Sequence, residues 1–198
     1  MAGHRARRGP LTVAPPVAPP DAPASDAPPP ELRVELTKRA DGGAVLRCTR
    51  ADGSVTWQRQ EGRQAAFFPL HDLTHHAVET TLGYRRGFLG LVADGWELAD
   101  TTGKGGRGPL PPEAVLVEHL VGLLDAERAS AARWAAADVA AQLAAVGLDP
   151  WDGRGRPFTD DALARVRARR ADHFARWHAL APGATLVLVF GRVASDEA

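Results

Sequence analysis

From Leu32 onward apolar and polar residues alternate with a period of two. Leu32, Val34 and Leu36 stand against Arg33, Glu35 and Thr37; after Asp41-Gly42-Gly43, Ala44, Leu46 and Cys48 stand against Arg47 and Thr49. Two such runs around an Asp-Gly-Gly turn predict a β-hairpin. A second turn, Asp52-Gly53-Ser54, leads into Val55-Thr56-Trp57-Gln58-Arg59-Gln60, so residues 31–61 predict a three-stranded antiparallel meander with one wet face. Near the other end, the β-prone run Thr185-Leu186-Val187-Leu188-Val189-Phe190 follows Pro182-Gly183. It predicts a fourth strand in the same sheet, which brings the two ends of the domain together.

Between the strands the spacing turns helical. Pro69 suits the start of a helix over 70–82, stopped by Gly83. Tyr84, Phe88, Leu91, Val92 and Trp96 recur at helical spacing, and Gly87 and Gly90 leave room for another element to approach closely. A Gly-rich loop over 100–112 ends at Pro112, which opens an apolar helix running through Leu124. An Ala-rich helix is expected over 130–146, stopped by Gly147. Thr159 before Asp160-Asp161 is an N-cap signal for a last helix reaching about Leu180. The fold class is α+β: an antiparallel sheet of three N-terminal strands plus one C-terminal strand, packed against four or five helices.

Composition sharpens this in three places. Residues 1–30 hold nine of the sixteen prolines and almost nothing large and apolar. They are expected to be a disordered Pro/Ala-rich tail, leaving 31–198 as a single α+β domain. Lys plus Arg equals Asp plus Glu at 24 each, so no overall field draws the chain to nucleic acid or an anionic membrane. The arginines of the last helix (Arg165, Arg167, Arg169, Arg170, Arg176) are spread around it rather than set in one stripe, and nucleic acid is not an expected partner. The single cysteine, Cys48, excludes an internal disulfide and a multi-cysteine zinc site, so any zinc must be held by His, Asp or Glu. No run of about 20 apolar residues occurs. Arg7-Arg8 leads into Pro-interrupted sequence, and the expected location is the cytoplasm. The Ala, Arg and Gly usage is that of GC-rich bacterial coding.

Candidate chemistry is concentrated in Phe67-Phe68-Pro69-Leu70-His71-Asp72-Leu73-Thr74-His75-His76-Ala77-Val78-Glu79, which carries three of the seven histidines. On a helix His71 and His75 lie on one face about 6 Å apart, close enough to share one metal ion. At 100° per residue, Leu70, Leu73 and Ala77 centre the apolar face and His71, His75 and Glu79 fall along its edge. Asp72 and His76 turn toward solvent. The rise from His71 to Glu79 is about 12 Å, too long for both to bind one ion. Glu79 is therefore cast as the partner holding His75 or as a proton acceptor, and Asp72 as the other candidate acceptor. The third ligand must come from elsewhere: Glu118 or His119 on the apolar helix, or His173 or His178 on the last. His119 is favoured because it lies nearer the apolar side.

His71-Asp72-x-x-His75 resembles the His-Glu-x-x-His signature of zinc peptidases, with Asp72, one methylene shorter, in the place of the catalytic glutamate. It also resembles the His-Asp-x-x-His start of the zinc motif in the ubiquinone-biosynthesis scaffold family, whose later glutamate falls here on Gly87. The longer string from Phe68 to His75 and on through Gly90-Leu91-Val92-Ala93-Asp94-Gly95 is similar to a family of uncharacterised bacterial proteins carrying a His-Asp-Leu-x-His-x-x-Val-Glu helix. That resemblance implies a recurring helical core and no particular activity.

The reading is a divalent-metal-binding domain, with zinc the first candidate and a small molecule or a protein as its partner; if it is an enzyme, metal-dependent hydrolysis of an ester, amide or phosphoester is the reaction that fits. The alternative is a non-catalytic protein-interaction module whose histidines serve as structural helix-to-strand hydrogen bonders.

Overall fold

The computed structural model describes residues 31–102, 107–149, 151 and 155–191. The Pro-rich segment 1–30 and residues 103–106 of the Gly-rich loop lie outside them. The strands are β1 (Leu32–Lys38), β2 (Ala44–Arg50), β3 (Val55–Gln60) and β4 (Thr185–Phe190). All pair antiparallel in the order β3-β2-β1-β4. Leu32 faces Phe190 across the β1–β4 pair, so the two ends of the described domain meet as expected. The inner face carries Leu32, Val34, Leu36, Ala44, Leu46, Cys48, Leu186, Leu188 and Phe190, all buried, while Trp57 on the other face is 62% exposed. Burial pushes the Cys48 thiol up to about 12, which makes it an inert core residue.

The helices are α1 (Phe68–Leu82), α2 (Phe88–Ala93), α3 (Pro112–Ser130), α4 (Ala136–Ala145) and α5 (Asp160–Ala179). α1 ends at Gly83, whose φ of 78° places it in the left-handed region. The Thr159 side chain accepts from the Ala162 N–H, the N-cap its sequence signalled. Two elements are shorter than their patterns. Only Phe88–Ala93 of the Tyr84–Trp96 stretch is helical, because Gly87 and Gly90 bring the backbone against other groups. A Cβ on Gly90 would stand 1.9 Å from the Arg85 carbonyl oxygen, and one on Gly87 would stand 2.6 Å from the Glu79 carboxyl group. The Ala-rich helix begins at Ala136 rather than 130. Ala131 turns left-handed (φ 54°), and the later start is capped by Asp138 on the Ala135 N–H and Asp160 on the Ala136 N–H.

α1 is the central element. Leu73 joins the core under the sheet, whereas Val78 and Leu82 join a second core built by α3, α4 and α5. With apolar layers on both sides and α2 against it, α1 is buried from Asp72 through Glu79. This corrects the expectation that Asp72 and His76 face solvent: they are 6% and 5% exposed. A one-faced helical wheel fails for a helix enclosed on several sides. Among the described residues no helix is long and apolar enough to cross a membrane.

Candidate metal centre

His71 and His75 sit one turn apart on α1, and their rings meet edge-on at 4.8 Å. Phe67 stacks on the first at 5.2 Å and Phe88 leans on the second at 5.0 Å. α3 crosses beside them. It contributes Glu118 and, two turns later on the same face, Asp125. The Asp125 Oδ2 lies 2.8 Å from His71 Nδ1, and Glu79 Oε1 lies 3.2 Å from His75 Nδ1. A carboxylate accepts the Nδ1 proton of each ring, which leaves Nε2 as the atom each ring can offer to an ion once it is deprotonated. Those two Nε2 atoms are 3.3 Å apart. Glu118 faces both, its oxygens 4.0 Å from His71 Nε2 and 3.5 Å from His75 Nε2.

His71, His75 and Glu118 form a group whose ligand atoms all fall within 4.8 Å of one another. Two nitrogens bound to zinc at about 2.0–2.1 Å and held near the tetrahedral angle would be about 3.3–3.4 Å apart. The donor set of two neutral imidazoles and a carboxylate, each imidazole backed by a second carboxylate, fits a divalent ion.

The third position is not taken by His119. That ring is exposed and its Nδ1 hydrogen-bonds the Val115 carbonyl one turn back on α3. Glu118, half-exposed, reaches over α1 instead. His178 is exposed, and His173 is engaged elsewhere. Asp125 was not singled out in sequence. Its signal was the seven-residue spacing from Glu118, which puts both acids on one helix face.

Glu79 is fully buried and its carboxylate also accepts from the Leu89 N–H (3.0 Å) and the Gly90 N–H (3.2 Å). It thereby ties α2 to His75. The missing side chain at Gly87 is what makes room for that carboxylate. Asp72 accepts a short hydrogen bond from the Gln60 amide. Both Asp72 and Gln60 line a cavity of about 500 Å³ together with His71, His75 and Glu118. Phe68, Phe88, Leu98 and Leu110 give the cavity apolar walls, and Thr101, Gln58 and Arg59 complete it.

The electrostatics suit cation binding. Burial opposes a charge on His75, but the Glu118 and Glu79 carboxylates outweigh it and lift the imidazole to about 10. Without a metal, the fold therefore holds a proton where an ion would go. Burial opposes ionisation of Glu118 too, yet His75 and His71 keep it below its ordinary value. Burial raises Asp72 to about 6 against the pull of Gln60, His71 and His75.

His76 carries the structural role that the histidine-rich segment also suggested. Its Nε2 donates to the Val189 carbonyl at 3.2 Å and its Nδ1 accepts from His173 Nε2 at 3.0 Å, joining α1 to β4 and α5. Burial, assisted by His173 and the arginines Arg169 and Arg176, presses His76 down to about 3. Burial and Arg176 press His173 down to about 4. An unfolded histidine takes its proton near 6.5. Both rings therefore support the fold fully above that pH, and the support is lost as pH falls from about 6.5 toward 4 and 3. Asp72 works in the opposite sense between about 6 and 3.9. Chelator-treated protein is expected to lose stability on acidification through this window in urea melts. His173→Gln should show a slope shallower by about one proton, or about 1.4 kcal/mol per pH unit; equal slopes would refute the assignment.

Two of the last-helix arginines, Arg167 and Arg170, are engaged within the fold, whereas Arg165, Arg169 and Arg176 are exposed. Arg167 pairs with buried Glu127 and donates to the Trp134 carbonyl, and Arg170 donates to the Leu124 carbonyl. Compared with protein-family models, curated proteins and solved structures, the chain finds no match.

Proposed function

We propose that the protein holds a divalent metal ion, zinc first among candidates, on His71, His75 and Glu118, and hydrolyses an ester, amide or phosphoester of a small molecule in the adjoining cavity. The observation that carries this is the pair of Nε2 atoms 3.3 Å apart, each ring fixed from behind by a carboxylate and both facing Glu118. A bound ion would supply Lewis acidity and a water acidified to near neutrality.

The chain's own groups then divide the remaining work. Glu79 and Asp125 hold the two rings in the tautomer that presents Nε2. Asp72 lines the cavity and is poised near neutral pH by burial, so its carboxylate can take a proton from the attacking water and return it to the leaving group. Glu79 is sealed from the cavity by its three hydrogen bonds and acts as a positioning group. The apolar walls limit bulk water and take the substrate's body; 500 Å³ is the size of a small-molecule site.

The test is a panel of p-nitrophenyl esters, anilides and phosphoesters offered to chelated and zinc-reloaded protein. Turnover is expected only in the reloaded form. Asp72→Asn should lower kcat by more than about 100-fold with metal content unchanged. Turnover indifferent to chelation, or to Asp72→Asn, would defeat the reading.

A further inference from the structure

We propose that the open edge of β3 takes the main chain of an extended peptide as an added strand, which makes the substrate of the site a short peptide and the bond it cleaves an amide; this rests on the metal reading above. Three consecutive residues of β3, Gln58, Arg59 and Gln60, line the cavity. Successive side chains of a strand point to opposite faces. Gln60 is buried and Gln58 half-buried on the inner face, whereas Arg59 stands with Trp57 on the exposed outer one. Arg59 therefore meets the cavity with its main chain. β3 ends the sheet and β2 contributes nothing to the lining, so the open edge of the strand forms that wall.

Strand register shows what the edge offers. The Arg50 N–H donates to the Ser54 carbonyl at 2.9 Å. Alternation from that pair makes Cys48–Thr56, Leu46–Gln58 and Ala44–Gln60 the hydrogen-bonded pairs of β2 and β3. The N–H and C=O groups of Trp57 and Arg59 therefore point away from β2. Among the described residues none donates to or accepts from these four groups, and those of Arg59 border the cavity.

An unpaired strand edge is a template for another strand. A peptide laid along it would bond to Arg59 and Trp57 through every second residue, while the residues between turn their amides the other way. Its side chains also alternate, and the inward set meets the apolar walls formed by Phe68, Phe88, Leu98 and Leu110. His71, His75 and Glu118 line the same cavity, so the peptide lies in the space that the metal centre serves. A lone ester or phosphoester has no repeat of N–H and C=O to match this edge. In the cleavage, water adds its hydroxyl to the carbonyl carbon, the C–N bond breaks, and the remaining proton passes to the departing amine.

The test uses zinc-loaded and chelator-stripped protein with acetyl-trileucyl hydroxamate and three analogues, each methylated at one leucine nitrogen. Calorimetry is expected to show about tenfold or more of the affinity lost at one nitrogen and less than about threefold at its neighbour in sequence, in either form of the protein. Amide hydrogen exchange followed by NMR should slow at Arg59 when the parent probe is bound, and stay as it was at Gln58, whose N–H already faces β2. Equal losses at adjacent nitrogens, an Arg59 amide that exchanges as fast with the probe as without it, or no binding of the parent probe overturns the edge proposal. Zinc loading that fails to tighten the parent probe counts instead against the metal reading, because the alternation is read in the stripped protein as well.

Discussion

Glu118→Gln is expected to weaken zinc binding by more than about 100-fold, beyond the 10–100-fold typical of removing an outer partner of a ligand. Glu118 is the charged member of the proposed donor set, and its side chain is 39% exposed, so the core does not depend on it. Glutamine keeps the length and the helix propensity but offers only a neutral carbonyl oxygen. The metal-free protein should change as well. Burial already disfavours the His75 charge, and without Glu118 only Glu79 among its hydrogen-bonding carboxylates remains to hold it. Charged His75 contributes stability that is complete below about pH 6.5 and is lost as pH rises toward 10; the variant should have less of it to lose. Competition with a chromophoric zinc chelator reads the affinity, and a loss smaller than about threefold would remove Glu118 from the site.

Glu79→Ala should be the more damaging change to the fold. It would strand the Leu89 and Gly90 N–H groups in a buried environment, free the His75 ring and open a void, for a loss of about 3–5 kcal/mol. Glu79→Gln separates the two roles. Its carbonyl oxygen can still accept from α2 and restore much of the stability, whereas zinc affinity should stay about 10–100-fold down because the charge behind His75 is gone. Urea melts in chelator give the first quantity and zinc competition the second. If the glutamine variant binds zinc like wild type, Glu79 serves packing alone.

The strands and their partners were legible because alternation of period two, punctuated by Gly turns, leaves little choice of register on a half-wet sheet. The caps at Gly83 and Thr159 were legible for the same local reason. The start of α4 was not, since an alanine run carries no signal of where a helix begins and the answer lies in Asp160, 24 residues away. His71 and His75 came from i, i+4 spacing alone, and Glu79 behind His75 came from the next turn of the same helix. The third member was lost between adjacent positions on α3. His119 seemed nearer the apolar side, but α1 crosses where Glu118 projects, and a crossing angle between helices is not written in either helix. Gln60 and Asp125 were missed because their roles exist only after the sheet edge and α3 have been brought against α1.

The most direct measurement is elemental analysis of the untagged protein, as purified and after zinc reloading, beside a His71→Ala/His75→Ala variant shown by circular dichroism to remain folded. The proposed site predicts about one divalent ion per chain in the wild type and none above background in the variant. A wild type that stays metal-free after reloading, or a variant that binds as much metal as the wild type, would contradict it.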